Sequence, residues 1–405
     1  MSQHFRVGSR PQTPMVQVAL EDQRRPPRRL RRRRLYWLPF GVLACANVSA
    51  TFALSRVVAP LLAVPLGVLL YSATVWRFFT QMRDKPRPRW ITVFVDQPLF
   101  MHFGASVFGL LLSPVCLVCA LLAVALSHVS LFGFWREALC AAYALGMLLS
   151  VYAIWIERRF VRVRQLEVQI ANLPTEFDGY RIAQLSDLHV GSFDPKRRAL
   201  EWVALSNSLD ADLATVTGDL VTNGTGFYAD VADGIAALRA KDGVFVSMGN
   251  HDQSNNDELC RLVAERGPTV LRNESRVIRR GQASLVVAGL DGRIASPADA
   301  ARVVRSCATG APMVLLSHYP WTFEAVAAAG VDLVLTGHTH GGQLAVPFFS
   351  QRFNLARLTR QLSRGLYHSG KTTMYVNAGL GTTGPPMRLA VPPEIALFTL
   401  RRAES

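Results

Sequence analysis

Five apolar runs of this chain each end in a short turn that carries aspartate, asparagine or histidine. In open α/β sheets, ligands bind in the crevice beyond the carboxyl ends of the strands, so side chains at several such ends can converge on one site. The chain has nine histidines, and five of them lie in these turns. The sequence therefore predicts one polynuclear metal site. Its candidate ligands are Asp187, His189, Asp219, Asn250, His318, His338 and His340.

Each of these motifs alone has an ordinary explanation. An Asp-x-His pair such as Asp187 and His189 is common without a metal, and Gly218–Asp219 suits a turn because of its backbone preferences. His318 alone is more often a hydrogen-bonded histidine at the end of a strand. Only the complete set favours a metal centre over these alternatives.

The ligand types indicate which ions and which reaction the site supports. Carboxylate, carboxamide and imidazole groups suit Mn²⁺, Zn²⁺ or Fe²⁺ better than Ca²⁺. Two such ions about 3.5–4 Å apart clamp the attacking and leaving oxygens of a phosphoryl displacement and lower the pKa of a bound water. We therefore expect two divalent metal ions as the cofactors of this site.

The order and spacing of the motifs resemble the calcineurin-like metallophosphoesterase family, in which D-x-H, G-D, G-N-H-D/E, H and G-H-x-H follow one another. All five occur here, and the resemblance covers about residues 164 to 401. The stretches GHTHGGQLAVP, RGLYHSG and MYVNAGLGTTGPPMR resemble the family's membrane-tethered bacterial branch. Tyr319 departs from that branch, which more often has Asn there. Because this position is not a ligand, the departure affects the pocket wall and not the metal site.

The resemblance also implies roles for individual residues. Asp219 would bridge both ions, since a carboxylate has two oxygens. One ion would be completed by Asp187, His189 and His340, and the other by Asn250, His318 and His338. His251 would contact the phosphate and protonate the leaving group, while Asp252 orients its imidazole. Arg388 is a candidate phosphate or headgroup contact, with an ordinary surface arginine as the equal alternative.

The expected fold class is α/β. Strands and helices alternate after residue 180, with strands such as Arg181–Leu185 and Leu213–Thr217 leading into the ligand turns. The family resemblance implies a two-sheet αββα metallophosphoesterase sandwich, preceded by an α-helical membrane region. We divide the chain into a basic, disordered cytoplasmic arm (1–34), a membrane region (35–157) and a phosphoesterase domain (158–405).

Four uncharged stretches precede the phosphoesterase domain, at 35–54, 57–76, 102–135 and 138–156. About 20 apolar residues cross the hydrocarbon core of a bilayer, so we expect four transmembrane helices. Buried helices of a soluble domain are the alternative, but so many apolar lengths are hard to enclose. The predicted spans carry no Asp, Glu, Lys or Arg, and intramembrane charges usually mark transport paths.

Basic residues alternate along the connections between these spans. The block before residue 35, the second loop and the segment after the fourth span are rich in arginine, while the other two loops are poor in it. The positive-inside rule therefore predicts a multi-pass protein of the inner (cytoplasmic) membrane whose catalytic domain faces the cytoplasm. A twin-arginine export signal is the alternative and would place the domain on the exported face.

The net charge of +15 belongs mainly to the segments that flank the spans. There it meets anionic lipid headgroups, so no nucleic-acid partner is expected. The chain resembles the bacterial enzymes that cleave the pyrophosphate of UDP-2,3-diacylglucosamine in lipid A synthesis, so a membrane lipid or lipid-linked nucleotide is the leading substrate. The alternatives are a phosphodiesterase of broad or soluble-nucleotide specificity, and a membrane sensor or transport protein with a regulatory phosphoesterase domain. Against the last, all seven ligand positions and His251 are present.

Overall fold

The structure is a computed structural model that describes residues 38–56, 58–81, 85–127, 129–358 and 361–403. The predicted basic arm lies outside the described residues. The first part of the described chain is helical, and the second alternates between strands and helices. The four long helices are α1 (Leu38–Leu54), α2 (Pro60–Gln81), α3 (Gln97–Ser127) and α4 (Leu131–Trp155).

Three of the described helices are long and apolar enough to cross a membrane, namely α2, α3 and α4. In α1 the apolar stretch found among the described residues is shorter, Ala44–Leu54. The prediction of four spans is therefore supported for three. The bounds of the predicted span 102–135 are wrong, because α3 ends at Ser127 and α4 begins at Leu131. The break is made by Ser130, whose side chain accepts a hydrogen bond from the amide of Gly133 and caps α4.

Polar and small side chains fix the membrane helices to one another. His102 hydrogen-bonds Tyr143 (3.0 Å) and Asn47 (3.1 Å), and Asn47 donates to the carbonyl oxygen of Gly67 (2.7 Å). This network joins all four helices. A Cβ at Gly146 would lie 2.9 Å from Cα of Ala105, so α3 and α4 approach as closely as small residues permit.

A buried ion pair lies at one end of these helices. Nε of Arg77 is 2.8 Å from Oδ1 of Asp96, and both side chains are 1% exposed. Arg77 belongs to α2, and Asp96 to the π-helical turn Thr92–Asp96 that precedes α3. The predicted spans contain no charged residue, and this pair lies just outside them. Helix α2 continues past the predicted end at residue 76, and Asp96 precedes the predicted start at residue 102. Its geometry anchors α2 to the start of α3.

The second part of the chain forms two six-stranded mixed sheets. The first has the order β1-β12-β2-β3-β4-β5 and the second β10-β11-β9-β8-β7-β6. The strands are β1 (Arg162–Ile170), β2 (Arg181–Leu185), β3 (Leu213–Thr217), β4 (Val244–Ser247), β5 (Thr269–Val270), β6 (Glu274–Arg280), β7 (Ala283–Gly289), β8 (Met313–Leu316), β9 (Leu333–Thr336), β10 (Gly365–Ser369), β11 (Thr372–Val376) and β12 (Glu394–Arg402). Strands β2 to β5 run parallel, as do β7, β8, β9 and β11.

The two sheets pack face to face around one apolar layer. Ile182, Phe245 and Phe398 of the first sheet meet Val287, Leu316 and Leu335 of the second there. Helices α5 (Lys196–Asn207), α6 (Tyr228–Ala236) and α7 (Asn256–Ala264) cover the first sheet, while α8 (Pro297–Cys307) and α9 (Phe323–Ala327) cover the second. The predicted two-sheet sandwich with outer helices is confirmed.

The membrane helices and the sandwich share side-chain contacts. A short connection, residues 156–161 with the turn Glu157–Arg159, separates α4 from β1. Nη1 of Arg158 lies 3.5 Å from Oδ2 of Asp194, and Oε2 of Glu157 accepts a hydrogen bond from the amide of Ala390. One hydrophobic cluster contains residues of both parts: Phe100, Met101, Ala153, Ile154, Phe193 and Met387.

Candidate metal centre

The predicted ligands lie at the carboxyl ends of five strands in the middle of the two sheets. Asp187 and His189 follow β2, Asp219 follows β3, and Asn250 follows β4. His318 follows β8, and both His338 and His340 follow β9. Since these strands are parallel neighbours within each sheet, their ends meet in one place.

One group of four ligands is fully buried. Asp187, His189, Asp219 and His340 have donor atoms that all lie within 4.8 Å of one another. Nε2 of His189 is 3.0 Å from Nε2 of His340 and 3.6 Å from Oδ2 of Asp219. This is the set that the family resemblance gives to one ion.

A second group shares Asp219 with the first. Its Oδ2 is 3.1 Å from Nε2 of His318, and that nitrogen is 3.2 Å from Nδ1 of His338. Oδ1 of Asn250 is also 3.2 Å from Nε2 of His318. The structure thus brings the remaining predicted ligands together, with Asp219 placed between the two groups.

The donor set fits divalent cations. Burial holds the pKa of His189 down to about 3 and that of His340 well below its usual value, so both rings are neutral. Two neutral imidazole nitrogens face each other at 3.0 Å, where a cation accepts both lone pairs. Carboxylates and neutral imidazoles converging from separate strands are the ligands of such metals.

The backbone of the ligand turns is strained. Five candidate ligands have a left-handed backbone: Asp187 (φ 50°), His189 (φ 44°), Asp219 (φ 51°), His338 (φ 70°) and His340 (φ 51°). Non-glycine residues rarely adopt this region, which costs roughly 1–3 kcal/mol each and persists where function requires it. Two glycines make room for the carboxylates, because a Cβ at Gly249 would collide with Asp219 and one at Gly337 with Asp187.

Two groups of the metal-free site, Asp187 and His318, have raised pKa values. Burial, reinforced by the charge of Asp219, raises the pKa of Asp187 to about 6. Burial alone would lower the pKa of His318, but the charge and hydrogen bond of Asp219 outweigh it and raise that pKa to about 9. Without metal, His318 therefore holds a proton at neutral pH where the cation would bind.

His251 lies beside the metal ligands and is half-buried. Its amide donates to Oδ1 of Asp219 (2.9 Å), and its ring packs edge-on against His189 with centroids 4.7 Å apart. Nδ1 faces the carbonyl oxygen of Thr222. Because a carbonyl only accepts, Nδ1 carries a proton, and Nε2 is the ring nitrogen that can act on a substrate. Nothing in the sequence motif points to this carbonyl.

Asp252 does not orient His251 as predicted. Its Oδ1 accepts a hydrogen bond from the amide of Leu220 (2.8 Å), and its Oδ2 accepts one from the amide of Gly249 (2.7 Å). The carboxylate is fully buried and ties the turn after β3 to the turn after β4. The carbonyl oxygen of Thr222 is the group that holds the His251 ring.

Both expectations for Arg388 are corrected. It is 0% exposed, so it is not a surface arginine. Its guanidinium donates to the carbonyl oxygens of Gly381, Val391, Ala378 and Gly379, so it is enclosed by the protein backbone. Nη2 lies 3.4 Å from Nδ1 of His340. Arg388 therefore holds the backbone around a ligand.

An aromatic wall that the motifs do not reveal borders the second ligand group. The rings of Tyr319 and Trp321 stack with centroids 4.5 Å apart, and both pack edge-on against His338. The hydroxyl of Tyr319 donates to the carbonyl of Gly292, and Nε1 of Trp321 donates to that of Ala295. The departure at Tyr319 thus changes the pocket wall beside a ligand.

Comparisons with known proteins agree with this geometry. The calcineurin-like phosphoesterase family matches residues 180–342. The chain is 30% identical to an uncharacterized metallophosphoesterase of Aquifex aeolicus over 64% of this chain and 98% of that protein. It is 29% identical to the uncharacterized metallophosphoesterase YkuE of Bacillus subtilis, over 62% of this chain and 89% of that protein. It is also 28% identical to a transmembrane protein with metallophosphoesterase domain of Danio rerio, over 67% of this chain but only 64% of that protein.

Proposed function

This chain belongs to the calcineurin-like phosphoesterase family and is a metal-dependent phosphoesterase with membrane helices, and we propose that its substrate is a lipid-linked phosphodiester or pyrophosphate such as UDP-2,3-diacylglucosamine. One observation carries the proposal. Turns that follow three of the ligand-bearing strands contact the membrane helices or the loop between two of them.

Three of these turns illustrate the arrangement. After β2, Phe193 packs its ring on Phe100 of α3 (centroids 5.6 Å apart). After β3, a Cβ at Gly226 would lie 2.8 Å from the Pro86 ring, in the segment between α2 and α3. After β9, Leu344 packs with the cluster that joins α3 and α4 to the sandwich. A site on this face suits a substrate held in the bilayer, because such a substrate reaches it without leaving the lipid.

The chemistry assigned to the residues follows from their places. Two bound divalent ions would neutralise phosphoryl charge and activate water. Asp219, which lies in both ligand groups, would be shared between them. We assign the general-acid role to His251. Its Nδ1 donates to the carbonyl oxygen of Thr222, so its Nε2 is the nitrogen that can give a proton to the leaving group.

The basic residues support a cytoplasmic site. Lys85, Arg87 and Arg89 lie between α2 and α3. The hydroxyl of Ser192 donates to the carbonyl oxygen of Lys85 (3.3 Å), so this basic loop is on the same side as the sandwich. Under the positive-inside rule we assign that side to the cytoplasm, in keeping with the inner-membrane location expected from the sequence.

A second candidate, a phosphodiesterase of soluble nucleotides, rests on the Tyr319–Trp321 stack. Aromatic rings beside a phosphoryl site provide a face for a nucleobase. It needs no contact with lipid and therefore leaves the membrane-facing position of the site without a purpose. For this reason we rank it second.

The deciding test is hydrolysis of UDP-2,3-diacylglucosamine by the full-length protein in detergent with Mn²⁺. Asp219→Asn serves as the blank. Release of UMP by the unmodified protein alone supports the proposal. Cleavage of a chromogenic phosphodiester without UMP release refutes the diacylglucosamine substrate and leaves the phosphoesterase. Inactivity on both favours a sensor or transport protein with a regulatory phosphoesterase domain.

A further inference from the structure

A large apolar cavity lies between the membrane helices and the sandwich. Its volume is about 690 Å³. One wall is a stripe of α3 that includes Phe103, Val107 and Leu111, spaced four residues apart and therefore on one helix face. This stripe runs for about 12 Å along the helix axis at 1.5 Å per residue. The cavity is thus elongated along helices that are long enough to cross a membrane.

The opposite wall comes from the chain that follows the last metal ligands. This wall, residues 344–358, begins directly after the His340 turn, and Leu344 pairs with Leu389. Leu344 is four residues from His340, so their Cα atoms are at most about 14 Å apart. Met387 also lines the cavity, and its neighbour Arg388 contacts His340. The cavity therefore begins within about 14 Å of a metal ligand along the chain and extends along the membrane helices.

The 344–358 segment has the composition of a membrane-interface element. Its large apolar side chains are exposed: Phe348, which does not line the cavity, is fully exposed, and Leu358, which does, is 80% exposed. Asn354 is buried and holds the segment together, since its Nδ2 donates to the carbonyl oxygen of Ser350 and its Oδ1 accepts from the amide of Arg357. Aromatic and basic residues together are typical of the zone between headgroups and hydrocarbon.

Two arginines supply the complementary charge. Arg352 and Arg357 line the cavity, and both are exposed. Among the residues that the structure describes, neither forms an ion pair with an acidic side chain. Because guanidinium groups bind phosphate, two of them beside an apolar cavity complement a phosphate attached to a hydrocarbon chain.

We propose that this cavity, the acyl groove, holds one acyl chain of a lipid whose phosphodiester or pyrophosphate lies at the metal centre. This rests on the proposed function and specifies how its substrate is held. Arg352 and Arg357 contact the anionic headgroup, and the α3 stripe contacts the chain. The metal centre recognises only the phosphoryl group. The groove therefore selects substrates by their hydrocarbon part.

The test measures lipid contact without hydrolysis. The full-length protein is placed in phosphatidylcholine nanodiscs with a trace of phosphatidylglycerol that carries a diazirine near the end of one acyl chain. After irradiation, mass spectrometry gives the fraction of the 344–358 segment that is cross-linked. Val107→Trp adds bulk in the middle of the α3 stripe that lines the groove, whereas Val118→Trp places the same bulk on α3 at a residue that is exposed and does not line the groove.

We expect Val107→Trp to lower cross-linking of the segment at least tenfold and Val118→Trp to leave it within twofold. Retained metal content and elution volume verify that Val107→Trp is folded. A second pair avoids the helices altogether. Leu358→Asp puts a charge into the groove and should also reduce cross-linking, while Phe348→Asp puts one on the same segment outside it and should not.

Equal cross-linking in Val107→Trp and Val118→Trp would overturn the acyl groove, even if UDP-2,3-diacylglucosamine is cleaved. A change of oligomeric state in Val107→Trp without a change in cross-linking would assign the cavity to a protein contact and also overturn it. Groove-dependent cross-linking without cleavage of that nucleotide lipid would support the groove and refute the substrate proposed above.

Discussion

The amide nitrogen of His251 donates a hydrogen bond to Oδ1 of Asp219 at 2.9 Å, so the candidate general acid is fixed by its backbone to the carboxylate shared by both ligand groups. Any substitution other than proline keeps this backbone contact and changes only the ring of His251. Substitution of the ring should therefore test the proposed proton transfer without removing a candidate metal ligand.

We expect His251→Ala to lose about 10²- to 10⁴-fold in turnover while it keeps its metal, because a general acid contributes about that factor. Turnover of a chromogenic phosphodiester and metal content by mass spectrometry are measured on the same sample. His368→Ala is the matched control, since His368 is exposed on β10. A parallel fall in metal content would show that His251 is a ligand.

Asp252→Ala should destabilise the fold. The change leaves the buried amides of Leu220 and Gly249 without their acceptor, at about 1–3 kcal/mol each. Thermal unfolding of the metal-free protein should show a lowered Tm, with Asp257→Ala, an exposed residue, as the control. An unchanged Tm together with a shifted pH–rate profile would restore the role of orienting His251.

Arg388→Lys should weaken metal binding more than substrate binding. A lysine has a single nitrogen and cannot replace a guanidinium that donates to four different carbonyl oxygens around His340. We expect a higher Kd for Mn²⁺ and a lower kcat at limiting metal, with KM close to that of the unmodified protein once metal is saturating. A raised KM at saturating metal would instead indicate a substrate contact.

Metal affinity should rise with pH. His318, with a pKa of about 9 in the metal-free site, carries a proton below that pH and must release it to bind a cation. The observed affinity should therefore increase up to tenfold per pH unit until about pH 9 and then level off. Below about pH 6, Asp187 adds a second competing proton and steepens the dependence.

Calorimetry with Mn²⁺ in two buffers of different ionisation enthalpy measures the proton released. At about pH 7.5 we expect close to one proton for binding that involves His318. His318→Gln removes the titrating group and should flatten the slope between pH 7 and 9. Affinity that does not vary over this range in the unmodified protein would contradict the raised pKa of His318.

The sequence predicted the ligand cluster because strand ends in an α/β sheet have a common location, so residue type and order were sufficient. It did not predict the support around the cluster. The Thr222 carbonyl that holds His251 belongs to the backbone, which carries no residue signature. The predictions for Arg388 were wrong because its burial depends on loops that come together only in the folded chain, where their carbonyl oxygens surround the guanidinium.

The strands and helices also differ in how well the sequence predicted them. Buried strands such as β2 and β3 were predicted with their observed bounds, because they are continuous apolar runs. Strand β1 was missed because it is an exposed edge strand rich in charged residues, and it is defined by its pairing with β12. The end of α3 and the start of α4 lie within one uncharged run, so composition could not separate them.

The short connection between α4 and β1, together with the contacts of Arg158, Glu157 and Phe193, leaves the sandwich little freedom to rotate against the bilayer. For the lipid-linked substrate proposed above, an active site held at a fixed height from the membrane meets only the molecules that diffuse laterally past it. Its reaction is then two-dimensional, and its rate follows the mole fraction of substrate among the membrane lipids. Adding inert lipid at a constant amount of substrate slows such an enzyme, although the bulk concentration is unchanged.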